Sequence, residues 1–247
     1  LLMLSDLKQK SSYVHDSVNY FIENGYLIID KIIPLEVVEK LATILDNVFE
    51  ERKHLLVKPV MDLSNLLSLS REFHFLIKYA PTFQVLYQLF GADIALLSTA
   101  FRYSTPGTPN QAWHIDYKRD WENLKPEHPM WRPFPTVIAA YYLDDLTLDN
   151  GPLWVVPKSH QKANRPPWED ISLQDEIPLV VQKGGCILFD ARLWHRGGRN
   201  STLKPRRGLF FDYSLSWVKS PYKLEGKEID FLIQNSGNDT LKILGLI

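Results

Sequence analysis

The stretch IALLSTAFRY, Ile94–Tyr103, marks the point at which the hydrophobic pattern of this chain changes. It follows Gly91, a typical helix stop, and it reads as a short strand. Similar short apolar runs, bounded by proline, glycine, asparagine or aspartate, come after it: Thr136–Leu143, Leu153–Val156, Leu179–Val181, Cys186–Phe189 and Gly208–Tyr213. We therefore predict many short strands after about residue 92.

The chain before Gly91 has helical periodicity instead. Pro34 opens a segment in which apolar residues recur every three or four positions, and Pro81 opens another that ends at Gly91. Asn24-Gly25 predicts the end of an earlier helix. Helices followed by many strands indicate a mainly β protein with a helical N-terminal part, in which helices flank a barrel or jelly roll. We predict a single domain over residues 1–247: a helical third at about 1–92, a jelly-roll core at about 93–217 and a C-terminal tail at 218–247.

The composition limits the class of protein. The 247 residues include 28 Lys and Arg against 29 Asp and Glu, a formal charge of −1, so we expect no nucleic-acid partner. We also expect no membrane partner, because no apolar run approaches the roughly 20 residues that span a bilayer. The first residues do not resemble a signal peptide, and the single cysteine, Cys186, fits a buried core residue in a reducing compartment. These features predict a cytoplasmic protein.

Two motifs that lie far apart in the chain carry three residues able to bind a metal. In Trp113-His114-Ile115-Asp116, His114 and Asp116 would project from the same face of a strand. His195 follows the predicted strand Cys186–Phe189. Two imidazoles and one carboxylate form the facial triad typical of non-haem Fe(II) oxygenases. Taken separately, the first pair also fits a surface ion pair, and His195 also fits a structural histidine.

Two arginines, Arg206 and Arg207, enter the last predicted strand. A dicarboxylate that chelates iron at one end needs a cation at the other, and the arginine fork binds a carboxylate through two hydrogen bonds. Because side chains alternate along a strand, only one of the two arginines can point inward. Both would also fit the exposed charges that protect an edge strand.

The stretch Tyr117–Pro135 separates these motifs. It contains four prolines, mixed charges and two tryptophans without periodicity, which indicates a long loop. A loop of this length next to a metal motif is typical of a lid, although a solvated insertion has the same composition. The candidate lid residues that would contact substrate are Arg119, Trp121, Trp131, Arg132 and Phe134.

The motifs together resemble those of the phytanoyl-CoA dioxygenase family of Fe(II)- and 2-oxoglutarate-dependent oxygenases. The resemblance runs from about Ser17 to Trp217 and rests on residues 113–116, 150–160 and 195–201. It implies a double-stranded β-helix, the cupin-like jelly roll, with iron near one mouth. It further implies that His114, Asp116 and His195 are the catalytic iron ligands.

The resemblance also assigns roles around the iron. Arg206 stands at the family's offset after the distal histidine, which implies that it binds the far carboxylate of 2-oxoglutarate while Arg207 points away. Halogenating relatives replace the carboxylate ligand by a small residue, so Asp116 favours hydroxylation or a related oxidation. Some relatives have a serine two residues after the distal histidine, where this chain has Gly197. The candidates to complete the cosubstrate's hydrogen bonds are Tyr103, Ser98 and Gln111.

We therefore predict a 2-oxoglutarate-dependent dioxygenase that uses Fe(II), with 2-oxoglutarate and O₂ as cosubstrates. It would hydroxylate or otherwise oxidise an unactivated C–H bond of a small molecule and release succinate and CO₂. Two alternatives remain open: a zinc-dependent hydrolase on the same His/Asp/His site, and a jelly-roll binding module without catalysis. The sequence does not predict the oligomeric state.

Overall fold

The computed structural model describes residues 4–56, 58–116, 136–162, 164–220 and 223–247, with the backbone alone for residues 4–13. Its nine named strands form two antiparallel sheets. The larger sheet has six strands in the order β1-β7-β4-β9-β3-β2, and the smaller has three in the order β6-β5-β8. The strands are β1 Tyr26–Ile29, β2 Val60–Ser64, β3 Ile94–Ser104, β4 Val137–Tyr142, β5 Leu153–Val155, β6 Ile177–Leu179, β7 Cys186–Asp190, β8 His195–Gly197 and β9 Arg206–Leu215.

Five α-helices accompany the sheets, and their apolar faces pack with the outer face of the larger sheet in one hydrophobic cluster. They are α1 Leu4–Asn24, α2 Leu35–Arg52, α3 Ala80–Phe90, α4 Lys227–Asn235 and α5 Asn238–Ile243. In α2 the buried residues are Val38, Leu41, Ala42 and Leu45, the helical spacing that the sequence predicted. Gly25 (φ 82°) follows α1 and Gly91 (φ 68°) follows α3, both in the left-handed region that favours glycine.

A second hydrophobic cluster fills the space between the two sheets, where Ile138 of β4 and Ile187 of β7 meet Val155 of β5. The central strands β4 and β7 are buried on both faces, which explains their continuous apolar sequences. Strand β9 divides its side chains by alternation: Leu209, Phe211 and Tyr213 belong to the helix-side cluster, and Phe210 packs between the sheets. The even-numbered residues of β9 therefore face the interior.

This architecture confirms the predicted jelly-roll fold with flanking helices, as a sandwich of two sheets rather than a closed barrel. The helical third was predicted incompletely, since β1 and β2 lie within it and join the larger sheet through β7 and β3. Both strands are short, and they form only by hydrogen bonding to partner strands that come later in the chain. The predicted C-terminal tail contains α4 and α5. Across the described residues, every helix is too short or too polar to span a bilayer.

Candidate active site

Backbone hydrogen bonds hold the three candidate metal ligands at one end of the interior. His195 begins β8, and His114 forms an isolated antiparallel bridge with it, in which each backbone N–H donates to the other's carbonyl at 3.0 Å. Two residues further on, the Asp116 N–H donates to the Ala191 carbonyl at 2.9 Å. The two sequence motifs are thereby joined through their backbones.

The side chains of His114, Asp116 and His195 converge on one point. One ligand atom from each lies within 4.8 Å of the others. His114 Nε2 is 3.7 Å from Asp116 Oδ1, and His195 Nε2 is 3.3 Å from Asp116 Oδ2. The His195 side chain is 4% exposed and that of Asp116 is 41% exposed, so among the described residues the cluster is more open on the carboxylate side. Two imidazoles and a carboxylate at these separations fit a single divalent cation.

Each imidazole is fixed by its other nitrogen. His114 Nδ1 lies 2.8 Å from the Ala112 carbonyl, and His195 Nδ1 lies 2.8 Å from the Leu193 carbonyl. A carbonyl can only accept, so each Nδ1 carries a proton, and each Nε2, the nitrogen that would ligate a metal, is directed at the common point. Holding a ligating histidine through its second nitrogen is how proteins orient metal ligands. The donor set therefore fits a metal ion.

The charges in the cluster favour the metal-binding protonation states of His114 and Asp116. Burial, together with the neighbouring His195, lowers the pKa of His114 to about 4. Desolvation acts to raise the pKa of Asp116, but the two imidazoles outweigh it and lower that pKa to about 2. Burial acts to lower the pKa of His195, and the attraction of Asp116 outweighs it and raises that pKa. A bound cation would compete with that proton.

The two neighbouring arginines of β9 point to opposite faces. Arg206 is buried inside, where its guanidinium donates to the Gly151 carbonyl and, at 2.8 Å, to Ser104 Oγ. Arg207 lies on the helix side, paired with Asp144 at 2.6 Å and with Asp46 of α2 at 2.9 Å. In the described part of the chain, no carboxylate lies within ion-pair distance of Arg206.

Comparison with known proteins agrees with this geometry. The family model described as Phytanoyl-CoA dioxygenase (PhyH) matches residues 21–208, which is most of the chain. The chain belongs to the phytanoyl-CoA dioxygenase family. The match includes the three converging ligands and Arg206.

Relatives with curated names are distant and match in part. An uncharacterized protein of Mycobacterium tuberculosis, Rv1501, is 28% identical over 47% of this chain and 39% of its own length. Dioxygenase trt7 of Aspergillus terreus is 32% identical over 49% of this chain and 42% of its own length. Dioxygenase olcK of Penicillium canescens is 27% identical over 76% of this chain and 66% of its own length. The match thus spans about two fifths of the first of these relatives.

Solved structures share the fold of the family at low identity. HygX from Streptomyces hygroscopicus, determined with nickel and 2-oxoglutarate bound, has a TM-score of 0.69 at 17% identity and covers 87% of this chain and 92% of its own. SnoK, a non-haem α-ketoglutarate-dependent carbocyclase from nogalamycin biosynthesis, has a TM-score of 0.65 at 19% identity, covering 86% and 94%.

The glycine that distinguishes this chain from some family members is covered by Gln111. The Gly197 N–H donates to Gln111 Oε1 at 2.9 Å, and a Cβ at Gly197 would lie 2.6 Å from that oxygen. A Cβ would therefore meet the Gln111 carboxamide at this position. In the described part of the chain, Gln111 Nε2 has no hydrogen-bond acceptor.

Two other candidate cosubstrate contacts lie elsewhere. Tyr103 faces α2: its hydroxyl donates to Asp46 at 3.0 Å, and its ring stacks on Phe49 with centroids 4.1 Å apart. This placement corrects the expectation that Tyr103 reaches the cosubstrate. Ser98 does face the interior, but its hydroxyl donates to Asp212 of β9. The lid candidates Arg119, Trp121, Trp131, Arg132 and Phe134 lie outside the described residues.

Two interior residues were missed by the sequence analysis. Arg102 of β3 forms a double hydrogen bond with Asp62 of β2 at 2.6 and 2.8 Å, and its charge contributes to lowering the pKa of Asp116. Asp212 lies on β9, which β4 separates from β7, and its side chain faces the interior. Alternation could have identified both, since Arg102 has the parity of Ser98, and Asp212 that of Arg206.

Proposed function

We propose that this protein is an Fe(II)- and 2-oxoglutarate-dependent dioxygenase that oxidises an unactivated C–H bond of a small molecule. The observation that carries the proposal is the convergence of His114, Asp116 and His195, each imidazole presenting Nε2 to the carboxylate. When bound, Fe(II) with 2-oxoglutarate and O₂ supplies the oxidation and releases succinate and CO₂.

In this proposal the three ligands hold the iron from one side. The carbonyls of Ala112 and Leu193 keep both imidazoles in the ligating tautomer, so little reorganisation is needed on binding. The exposed side of Asp116 leaves access for cosubstrate and substrate. Retention of a carboxylate at position 116 favours hydroxylation or a related oxidation over halogenation.

Arg206 would bind the distal carboxylate of 2-oxoglutarate. A buried guanidinium remains charged, and burying it without an anionic partner is costly. Arg206 bonds only neutral acceptors in the described part of the chain, so a dicarboxylate ligand would supply the missing negative charge. This residue favours the oxygenase over a zinc hydrolase, since the hydrolase gives Arg206 no role.

Gln111 would supply the hydrogen bond that serine provides in some relatives. Its Oε1 is occupied by the Gly197 N–H, and its Nε2, which has no acceptor among the described residues, would donate to a carboxylate of the cosubstrate. The substitution of glycine for serine and the position of the carboxamide are thus complementary.

The substrate is proposed to be a small biosynthetic intermediate. Support comes from the names of relatives, several of which are called dioxygenases, and from SnoK, a carbocyclase of nogalamycin biosynthesis with the same fold. The 117–135 stretch remains a proposed lid, and the cytoplasmic location remains a prediction.

The test is 2-oxoglutarate turnover and binding. We expect succinate formation that requires Fe(II), O₂ and 2-oxoglutarate together, and an anaerobic visible charge-transfer band when Fe(II) and 2-oxoglutarate are both added. Absence of the band, together with absence of 2-oxoglutarate binding by calorimetry, would falsify the proposal.

Two matched variants separate binding from folding. Arg206→Gln is expected to weaken 2-oxoglutarate binding by about tenfold or more, because it removes a charge-assisted contact. Arg207→Gln, one residue along on the other face, is expected to change stability but not that affinity. Equal affinities for the two variants would remove Arg206 from the cosubstrate site.

A further inference from the structure

In the part of the chain that the structure describes, one half of the interior between the sheets is buried and the other half is partly exposed. Residues between β4, β7 and the smaller sheet are buried in the second hydrophobic cluster. Along β3 and β9, interior residues that pair across the two strands are partly exposed: Ser98, Ala100, Arg102, Phe210 and Asp212. This row borders the space that a substrate would occupy.

Asp212 lies at the same end of the sheet as the metal ligands. It pairs with Ser98 on one side and with Ile138, near the start of β4, on the other. The residue before β4, Thr136, accepts from the N–H of Ala191, whose own carbonyl accepts from the Asp116 N–H. Asp212 is also close enough to Asp116 for that carboxylate to contribute to raising its pKa.

The carboxyl of Asp212 is only half satisfied within the chain. One oxygen accepts from Ser98 Oγ. In the described part of the chain, the other oxygen has no hydrogen-bond donor, and no lysine, arginine or histidine lies within ion-pair distance. That second oxygen is not among the enclosed, unpartnered polar atoms, which is consistent with its facing open space.

Burying a carboxyl with so few partners costs free energy of folding. Desolvation, with a smaller contribution from Asp116, raises the pKa of Asp212 to about 7. A desolvated carboxyl without a cation opposes folding, whereas an apolar residue in a strand interior would favour it. Groups retained against stability at the edge of a cavity are candidates for ligand recognition.

We infer that Asp212, oriented by Ser98, accepts a hydrogen bond from a hydroxyl or amino group of the substrate and so determines which part of it faces the metal ligands. The inference rests on the proposed oxygenase function and adds that the substrate carries a hydrogen-bond donor. Next to Ser98 and Asp212 in this row lie Ala100 and Phe210, which suits an apolar scaffold attached to that donor.

The test uses three probes that share one ring and differ in a single group: cyclohexanol, cyclohexylamine and methoxycyclohexane. Each is titrated into the full chain loaded with Ni(II), which cannot drive turnover, and 2-oxoglutarate, with binding followed by saturation-transfer NMR. In titrations at pH 8, where Asp212 is mostly ionised, we expect cyclohexanol or cyclohexylamine to bind at least about tenfold more tightly than the methyl ether, the effect of one hydrogen bond to a charged acceptor.

Three variants assign the preference to Asp212. Asp212→Asn should remove the preference for the amine and reduce that for the alcohol, because the amide keeps an acceptor but loses the charge. Ser98→Ala should weaken the preference for the two donor-bearing probes by less than Asp212→Asn does. Thr99→Val is the matched control, since Thr99 adjoins Ser98 but faces the helices with an unpartnered hydroxyl.

The outcomes separate this inference from the proposed function. If 2-oxoglutarate does not bind, the oxygenase proposal fails and the inference with it. If it binds but the wild type shows no donor preference, including no binding of any probe, the inference alone is overturned. A preference that survives in Asp212→Asn for both donors, or that Thr99→Val reduces as much as Ser98→Ala does, also overturns it.

Discussion

Replacing Asp212 by asparagine is expected to change the pH dependence of stability in a defined direction. The folded-state pKa of Asp212 is about 7, whereas its ordinary value is 3.8. The folded state therefore binds more protons than the unfolded state between these values, and stability falls as the pH rises through that window. The asparagine variant lacks this titration.

The size of the effect follows from the shift. At 1.36 kcal/mol per pH unit, a rise of about three units corresponds to roughly 4 kcal/mol of lost stability above pH 7. The amide still accepts from Ser98, and the contribution of that bond to the charged carboxylate is already contained in the shift. We therefore expect Asp212→Asn to match the wild type near pH 4 and to exceed it by roughly 4 kcal/mol near pH 8.

The assay is denaturant unfolding of metal-free protein with chelator present, at several pH values from 4 to 8. The quantity of interest is the difference in unfolding free energy between variant and wild type, because the other titrating groups cancel in it. A difference that does not grow with pH, or a variant that is less stable at pH 8, would refute the reasoning and make the Ser98–Asp212 pair a structural bond.

Four further variants test the metal site and the packing around it. Gly197→Ser should weaken 2-oxoglutarate binding by about tenfold because the new Cβ displaces Gln111, and Gly197→Ser with Gln111→Ala should recover it, as calorimetry would show. Arg196→Met should lower the free energy of unfolding, measured with denaturant, by about 3 kcal/mol. The Arg196 side chain is 6% exposed and pairs with Glu176, which would lose this cation. Gly25→Ala should lower the thermal midpoint and reduce the free energy of unfolding by at least about 2 kcal/mol. The φ of Gly25 is +82°, and a Cβ there would lie 2.5 Å from His160 Nδ1.

The candidate metal ligands could be proposed from the sequence because each motif is short and the chemistry of its side chains is specific. His114 and Asp116 are two residues apart on an extended segment, so one face carries both. The same alternation of side chains places Arg206 and Arg207 on opposite faces of β9. Strand β1 could not be predicted in this way, because four residues become a strand only through pairing with β7, more than 150 residues later in the chain.

The alternation rule also exposes an inconsistency in the predicted site. Ser98 and Tyr103 differ by an odd number of positions on one strand, so both could not face the cosubstrate. The register shift in β3 lies between Leu96 and Ser98, before both residues, and does not change that parity. The consistent partner of Ser98 was Arg102, which the structure places inside.

What the sequence cannot reveal is which interior polar groups satisfy one another. Hydrogen bonds inside the sandwich join segments that are more than 80 residues apart, as Gln111 with Gly197 and Ser98 with Asp212 do. Among the described residues, the first pair leaves a donor without an acceptor, and the second leaves an acceptor without a donor at the edge of the interior. A cosubstrate carboxylate needs donors and a substrate hydroxyl needs an acceptor, so these two unused hydrogen-bonding groups fit different ligands of one reaction. If Gln111→Ala alone changes only 2-oxoglutarate affinity and Asp212→Asn changes only probe affinity, the two ligands occupy separate subsites beside one metal.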